Sequence, residues 1–297
     1  MTDYSPGNIP GFQAHFVEAD GLRTRYYDVG SGRPIVLLHG AGWTGYFNAN
    51  LWDVNLAGLS AGNRVIAVDK IGSGLTQAPA AVEDFTIQRQ VRHIIDFLSA
   101  LKLDAVVLAG HSRGAYLAAR AAIERPDLVA MVVLSDSQTV APAIGDAEAR
   151  RSNLFQKLPD DLAGQLRTRL AQTSFCDQHI SEPLLQADVF IENLPECQAN
   201  KRMWEGGGEA VFNASLAAQQ EETMVWMREG RLRQPVLLYW GQNDPIALPA
   251  QAMALQELLS GAGADARLHV VSRAGHFAHR ERAADFDECL QAFIRSA

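Results

Sequence analysis

The chain has 297 residues, of which 47% are hydrophobic and 20% are charged, and its formal net charge at pH 7 is −8. This composition is typical of a globular protein with a large core, and the acidic balance argues against a nucleic-acid partner because no basic cluster is present to neutralise phosphates. The apolar runs are too short to cross a membrane, the 3 cysteines are widely spaced, and the first residues lack a secretory pattern, so we expect a cytoplasmic protein with free thiols.

The predicted elements begin with a hairpin and continue as alternating strands and helices. Residues 11–29 are typical of an antiparallel hairpin. Short apolar runs without alternation indicate buried parallel strands at residues 34–38, 64–68, 105–109, 130–134, 235–239 and 267–271. Helical spacing of apolar residues lies between or after most of these runs, at residues 91–101, 113–125, 255–259 and 286–294. The pattern predicts an α/β fold with a mostly parallel central sheet flanked by helices.

The alternation stops near Ser135 and resumes near Arg233. Helical composition without any strand-like run fills the stretch between them, at residues 147–158, 162–170, 184–191 and 212–227. Because this stretch is too long to be a loop, we predict a helical lid over the sheet edge where ligands bind in such folds. The predicted division is a core at residues 1–138, a lid at residues 139–230 and a second part of the core at residues 231–297.

A possible nucleophile lies in GHSRG, residues 110–114, between a predicted strand and a predicted helix. In that context Gly-x-Ser-x-Gly is a nucleophile elbow: a strained turn exposes the serine oxygen, and the glycines let the strand and the helix approach closely. The alternative is a serine that caps a helix after a glycine-rich turn. The motif and its surroundings together favour Ser112 as the nucleophile.

A serine nucleophile needs a base, and the base needs an orienting acid. Asp244 follows the strand predicted at residues 235–239, and His276 follows the strand predicted at residues 267–271, so both loops can reach the edge that carries Ser112. Asp244 has an alternative role as a turn former in Asn-Asp-Pro, and His279 is the alternative base. We predict a Ser112–His276–Asp244 triad.

The developing oxyanion of acyl chemistry needs hydrogen-bond donors. HGAG, residues 39–42, follows a predicted strand, and the expected donors are the backbone N–H groups of Ala41 and Arg113. His39 is interpreted as a support for this loop. The other histidines form no metal-ligand pattern and no GxGxxG follows a strand, so we predict neither a metal nor an organic cofactor.

Three stretches carry a family resemblance: HGAG with the downstream Asn50, RVIAVDKIGSGLT at residues 64–76, and residues 266–294 around AGHFAHRERAADF. In these stretches the chain resembles the meta-cleavage-product hydrolases, which are α/β-hydrolases that break a carbon–carbon bond in aromatic degradation. The resemblance implies a 2-hydroxy-6-oxohexa-2,4-dienoate with a substituent at C6 as the substrate. The products would be 2-hydroxypenta-2,4-dienoate and a carboxylic acid. It also suggests a homodimer.

The resemblance further implies a set of substrate-binding residues. Asn50 would bind the polar head of the substrate, and Arg202 is the candidate for the lid arginine that the family directs at the substrate carboxylate, with a surface arginine as the alternative. Trp226 would line the apolar half of the substrate pocket, and the alternative is an aromatic residue in the core of a helix. Three further positions complete the predicted set: Gly42, His111 and Phe277. Many relatives have Asn and Trp where this chain has His111 and Phe277. These differences affect which contacts the polar head of the substrate makes and which C6 substituent the site accepts.

Two other functions use the same residues. An esterase or lactonase would use the same triad without needing Asn50 and Arg202, and a ligand receptor would keep the triad with negligible turnover. Haloalkane dehalogenases and epoxide hydrolases share the fold but use an aspartate nucleophile, which Ser112 argues against.

Overall fold

The computed structural model describes residues 6–41, 43, 45–145, 154 and 157–296. Within these residues the strands form one sheet with the order β1-β2-β4-β3-β5-β6-β7-β8. The strands are β1 (Ala14–Ala19), β2 (Leu22–Gly30), β3 (Arg33–Leu38), β4 (Asn63–Val68), β5 (Val106–His111), β6 (Val129–Ser135), β7 (Val236–Gly241) and β8 (Ala266–Val271). The pairings β1–β2 and β2–β4 are antiparallel, and all the other neighbours are parallel.

Helices follow most of the strands and form the segment between β6 and β7. They are α1 (Asp53–Leu59), α2 (Ile87–Ala100), α3 (Arg113–Glu124), α4 (Leu162–Ala171), α5 (Glu182–Glu192), α6 (Pro195–Met203), α7 (Glu209–Arg228), α8 (Pro249–Gly261), α9 (Ala278–Glu281) and α10 (Ala283–Ser296). We call the described part between β6 and β7 that contains α4 to α7 the lid. Among the described residues, no helix is both long and apolar enough to span a membrane.

The sheet is buried on both faces. Along β3, Val36 and Leu38 belong to the hydrophobic cluster on one face, while Ile35 and Leu37 belong to the cluster on the other. Successive side chains of a strand point to opposite faces, so this division follows from the pleat. Each fully buried aliphatic side chain stabilises the fold by about 1.5–3 kcal/mol. Burial on both faces explains why these strands appear in the sequence as unbroken apolar runs.

The predicted fold class is confirmed, and the predicted strands occur with their ends shifted by a residue or two. Helix α2 starts at Ile87, four residues before the predicted start, because the side chain of Thr86 caps it by accepting a hydrogen bond from the Arg89 N–H. Helix α6 was not predicted, since its sequence, PECQANKRM, has no apolar periodicity. The helix predicted at residues 147–158 falls largely outside the described residues.

Candidate active site

The turn after β5 carries Ser112 at φ 53° and ψ −122°, a conformation that L-residues rarely adopt. The Ser112 N–H donates to the Ser135 carbonyl at 2.8 Å, which ties the turn to the end of β6. A Cβ at Gly110 would overlap the Gly114 carbonyl, and one at Gly114 would overlap the Leu38 carbonyl. Both glycines are therefore needed for the close approach of strand and helix that exposes the serine.

Ser112, His276 and Asp244 form a continuous chain of hydrogen bonds. His276 Nε2 lies 3.2 Å from Ser112 Oγ, and His276 Nδ1 lies 2.9 Å from Asp244 Oδ2. Asp244 Oδ1 accepts the N–H groups of Ile246 and Ala247 at 2.7 and 3.0 Å, which fixes the carboxylate. Since an aspartate only accepts, Nδ1 carries the ring proton and Nε2 can accept a proton from the serine. The chain of contacts is that of a nucleophile, a base and an orienting acid.

The alternative base, His279, lies in a different environment. Its ring is fully buried, with its centroid 4.3 Å from that of Trp52 and 4.6 Å from that of His111. Burial, followed by the influence of the neighbouring His111, lowers the pKa of His279 well below its ordinary value. Neither ring nitrogen of His279 has a hydrogen-bond partner among the described residues, so the structure brings His276 to Ser112 and His279 to the protein interior.

A second buried carboxylate, Asp136, holds the backbone on both sides of the triad. Its Oδ1 accepts the Gly241 N–H at 2.8 Å and its Oδ2 accepts the Ala278 N–H at 3.2 Å. His111 Nε2 donates to the His276 carbonyl at 2.6 Å. Burial, followed by the charge of Asp244, raises the pKa of Asp136. Sequence reasoning missed Asp136, which follows β6 as Asp244 follows β7.

Potential metal-binding atoms of His111, Asp136 and His279 lie within 4.8 Å of one another. The hydrogen bonds just described already use both oxygens of Asp136 and Nε2 of His111. These groups hold the loop that carries His276, and we assign no metal to the cluster.

The loop after β3 passes close to the nucleophile. A Cβ at Gly40 would lie 2.9 Å from His111 Nδ1 and 3.0 Å from the Cβ of Ser112, so glycine lets the loop come this close without displacing either side chain. Ala41 follows at φ 50°, a left-handed conformation that costs an alanine about 1–2 kcal/mol. Ala41 and Arg113 both line the cavity at Ser112. Their backbone N–H groups are the candidate oxyanion donors.

Ser112 and His276 open into a cavity of about 790 Å³ beneath the lid. Its aromatic lining comprises Trp43, Tyr46, Phe47, Trp204 and Phe277. Helix α7 contributes one face, at Glu209, Asn213, Leu216 and Gln220, which is polar except for Leu216 and whose spacing of three and four residues is that of a helix. Among the described residues, two arginines also line the cavity, Arg113 on α3 and Arg169 on α4. This mixed lining suits a ligand with an apolar part and an anionic or polar part.

Among the predicted substrate residues, His111 and Phe277 line the cavity, whereas Asn50, Arg202 and Trp226 do not. Gly42 lies outside the described residues. The side chain of Asn50 is buried elsewhere: its Oδ1 accepts the Tyr27 hydroxyl at 2.7 Å and its Nδ2 donates to the Gly7 carbonyl at 3.2 Å.

Arg202 and Trp226, the two substrate-binding residues predicted on the lid, both lie outside the cavity. Arg202 is exposed at the end of α6. Trp226 packs between two arginines, with the guanidinium carbons of Arg120 and Arg231 lying 3.8 and 4.8 Å from its ring centroid. Arg169 is the lid arginine that lines the cavity instead, and no sequence signal separates it from the other arginines of the lid.

The lid turn after α4 is fastened to the loop that carries the catalytic histidine. The His276 N–H donates to the Thr173 carbonyl at 2.8 Å. Glu281 Oε1 accepts the Gly275 N–H at 2.7 Å, while its Oε2 accepts the N–H groups of Phe175 and Cys176 at 2.8 and 3.0 Å. A Cβ at Gly275 would lie 2.5 Å from the Thr173 carbonyl oxygen, so this contact requires glycine. The lid turn and the base are thus parts of one hydrogen-bonded unit.

The sheet order, the strained serine turn and the triad geometry define a class of hydrolase. A match to the alpha/beta hydrolase fold family spans residues 33–283, and the chain belongs to that family. It is 27% identical to 2-hydroxy-6-oxo-2,4-heptadienoate hydrolase of Pseudomonas putida, over 97% of this chain and 98% of that protein. Other relatives carry hydrolase names of the same dienoate or semialdehyde kind.

A solved structure, the meta-cleavage product hydrolase of Pseudomonas fluorescens IP01, has a TM-score of 0.76 and 25% identity, with 95% of this chain and 97% of that chain covered. The resemblance seen in the sequence is thereby confirmed. The chain is also 27% identical to a haloalkane dehalogenase of Mycolicibacterium paratuberculosis, over 93% of this chain and 91% of that protein.

Proposed function

We propose that the protein hydrolyses the C5–C6 bond of a 2-hydroxy-6-oxohexa-2,4-dienoate that carries a substituent at C6. The observation that carries this proposal is the Ser112–His276–Asp244 chain at the edge of a cavity that contains both aromatic side chains and two arginines. The names of the most similar relatives support the same reaction. A serine at the elbow argues against dehalogenation, which in this fold uses an aspartate nucleophile.

The first chemical step moves a proton within the substrate. His276 takes the proton of the C2 enol and delivers it to C5, which leaves ketones at C2 and C6 and a double bond between C3 and C4. Asp244 accepts the Nδ1–H of His276 at 2.9 Å and so keeps Nε2 directed at the reacting groups. This step is required because a carbanion is a poor leaving group unless its electrons can move into a carbonyl.

The second step breaks the bond. The oxygen of Ser112 or of a water polarised beside it adds to C6 while His276 takes its proton, and the N–H groups of Ala41 and Arg113 stabilise the oxyanion. When the C5–C6 bond breaks, its electrons move through C4 and C3 to the C2 carbonyl, whose oxygen takes this proton from His276 to give 2-hydroxypenta-2,4-dienoate. Where Ser112 has become acylated, a water deprotonated by His276 releases the carboxylic acid.

The carboxylate of the substrate binds at the arginine side of the cavity. Arg169 on the lid and Arg113 beside the nucleophile both line the cavity, and a guanidinium presents paired N–H donors that match a carboxylate. The C6 substituent then lies against the aromatic residues. The 3 free cysteines support a cytoplasmic site for this reaction.

A spectroscopic assay tests the reaction itself. Dienolates of this class are yellow, so loss of the visible band follows consumption of substrates with methyl, phenyl or aminophenyl groups at C6, and release of the carboxylic acid measures cleavage. We expect rapid bleaching of at least one substrate by the wild type with release of its acid, and no release of acid by Ser112→Ala. Brisk hydrolysis of p-nitrophenyl acetate without any bleaching would contradict the proposal and identify a carboxylic-ester hydrolase. That alternative gains weight from the position of Asn50 and Arg202 outside the cavity.

A pair of arginine variants tests the binding mode. Arg169→Met removes a cation that lines the cavity, and Arg202→Met removes one from the exposed end of α6. Loss of a charged hydrogen bond costs about 1.5–3 kcal/mol, so KM for the dienolate should rise roughly 10- to 100-fold in Arg169→Met. The KM for p-nitrophenyl acetate, which has no anionic head, should stay the same as in the wild type. Unchanged dienolate KM in Arg169→Met, or a rise in Arg202→Met instead, would overturn this binding mode.

A further inference from the structure

Lys70 is a buried lysine next to the candidate oxyanion loop. It follows β4, and its residue is 0% exposed. Its Nζ donates to the carbonyl of Gly40 at 3.0 Å and to the carbonyl of Ala41 at 2.7 Å. Burial, followed by the charge of Arg113, lowers the pKa of Lys70 well below its ordinary value. Both the ammonium and the neutral amine have enough N–H groups to make these two bonds.

The Gly40 carbonyl belongs to the peptide group whose N–H is that of Ala41, the first candidate oxyanion donor. This carbonyl has a second donor, because His39 Nδ1 lies 3.0 Å from it. His39 Nε2 accepts the Lys70 backbone N–H at 3.1 Å, so the proton of this ring is on Nδ1. Two donors therefore hold the oxygen end of the peptide: Nζ of Lys70, and Nδ1 of His39, whose tautomer is fixed by the backbone N–H of Lys70.

We propose that Lys70 is a positioning residue of the oxyanion hole, which holds the Gly40–Ala41 peptide with its N–H directed at the reacting carbonyl. Two effects follow from its contacts. The bond from Nζ to Ala41 fixes the far end of a residue that has a left-handed φ of 50°, so the strained loop cannot relax away from Ser112. Donors on the Gly40 oxygen also polarise the peptide, which makes the Ala41 N–H a stronger donor.

This inference rests on the proposed function only in that Ser112 is the nucleophile and the Ala41 N–H faces the oxyanion. It predicts a stabilisation that is larger for the transition state than for the bound substrate, since the oxyanion exists only after attack. A residue that merely supports the fold would lower stability without changing the balance between kcat and KM in the folded enzyme.

The main variant is Lys70→Met, which keeps the length of the side chain and removes its N–H groups. Loss of one oxyanion donor lowers kcat about 10²- to 10³-fold, and Lys70 acts through such a donor, so we expect kcat to fall roughly 10- to 100-fold with KM changed by less than about twofold. Phenylboronic acid forms a tetrahedral adduct with a reactive serine, and its affinity should fall by a similar factor. Lys102→Met, an exposed lysine at the end of α2, is the matched control and should equal the wild type in both measurements.

A folded Lys70→Met enzyme with wild-type kcat and wild-type affinity for phenylboronic acid would overturn the proposal. A rise in KM as large as the fall in kcat would also overturn it. Should this variant not fold, Lys70→Leu is measured in the same way: its side chain also lacks N–H groups and can make neither bond, so wild-type values there also contradict the proposal. Boronate binding does not depend on the carbon–carbon substrate. Failure to bleach any dienolate would therefore refute the proposed function alone, while wild-type protein that does not bind phenylboronic acid would refute Ser112 as the nucleophile.

Discussion

At the scale of single residues, three histidine rings lie side by side behind Ser112, and their surroundings divide their roles. His111 contacts both of the others, with ring centroids 4.9 Å from His276 and 4.6 Å from His279. His111 and His279 are fully buried rings whose pKa values are lowered, chiefly by burial. Only His276 lies within hydrogen-bond distance of both Ser112 and Asp244. A neutral imidazole with one carboxylate and one hydroxyl partner is the arrangement that a general base requires.

Replacing these histidines separately tests that division. His276→Ala should lower kcat by several orders of magnitude, because the members of a triad act as a unit. His279→Ala should lower thermal stability through the cavity that it leaves, while kcat of the folded enzyme stays within about tenfold of the wild type. Steady-state kinetics on protein checked by circular dichroism measures both effects. If His276→Ala kept most of the activity and His279→Ala lost it, the base would be misassigned.

The triad could be predicted from the sequence, whereas most of the substrate residues could not. Ser112, Asp244 and His276 each follow a strand, and the parallel sheet brings the ends of those strands to one edge. The position of Asn50 was marked by its motif, but the direction of its side chain is set by Tyr27, which lies far away in sequence. Whether a lid arginine such as Arg169 lines the cavity depends on helix packing, which no local pattern encodes.

At the scale of elements, the turn between β5 and α3 keeps a strained backbone for the sake of its serine. A non-glycine residue at φ 53° and ψ −122° costs about 1–3 kcal/mol, and glycine adopts this region freely. We expect Ser112→Gly to be more stable than Ser112→Ala, since both variants lack the hydroxyl and only alanine keeps the cost of a side chain in this backbone conformation. Urea unfolding of the two inactive variants measures the difference, and equal midpoints would show that the turn is not strained.

The connection between α4 and α9 depends on Glu281, which accepts N–H groups from both sides of the lid contact. Glu281→Ala removes both acceptor oxygens, so the Phe175, Cys176 and Gly275 amides should lose hydrogen-exchange protection together. Glu288→Ala, an exposed change on α10, is the matched control. Loss of protection at Gly275 alone would show that the lid turn is held by other contacts.

The lid was predictable as a helical segment, although its details were not. Helices α4, α5 and α7 lie in stretches whose composition is typical of helices, and the sequence indicates them for that reason. Helix α6 is polar, and the turn that joins it to α7 contains Gly207 at φ 135°. Trp204, three residues before this break in direction, lines the cavity, and the break has no counterpart in the hydrophobic pattern.

At the scale of the whole molecule, a buried polar network joins the lid to the sheet. Arg25 on β2 donates to both carboxylate oxygens of Asp69, at 2.6 and 2.8 Å, and to Asn48 Oδ1 at 3.3 Å. Asn48 Nδ2 donates at 2.8 Å to Asp188, which lies on lid helix α5. Because these groups are removed from water, each depends on its partners for hydrogen bonding. The lid is therefore attached to the core by polar contacts as well as by apolar packing.

Asp188 makes this attachment sensitive to pH. Burial raises the pKa of Asp188 from its ordinary value of 3.8 to about 8. Between these values the folded protein keeps a proton that the unfolded chain has lost, so the unfolding free energy falls as pH rises, by up to about 1.4 kcal/mol per pH unit. Other groups titrate in the same range, because unfolded histidines are still partly protonated at pH 7 and burial raises the pKa of Asp287 to about 7, so the effect of Asp188 needs a comparison with a variant that lacks this carboxyl.

The comparison of wild type with Asp188→Asn isolates this effect. Asparagine resembles the protonated carboxyl and cannot ionise, while every other group titrates alike in both proteins. From pH 7 to pH 8 the wild type should lose about 1 kcal/mol more unfolding free energy than the variant, measured by urea unfolding at pH 6, 7 and 8. A parallel pH dependence of the two proteins would mean that Asp188 is already ionised when folded. In that case the positive charge of Arg25 would stabilise the ionised Asp188, and the lid would stay attached to the core across this range of pH.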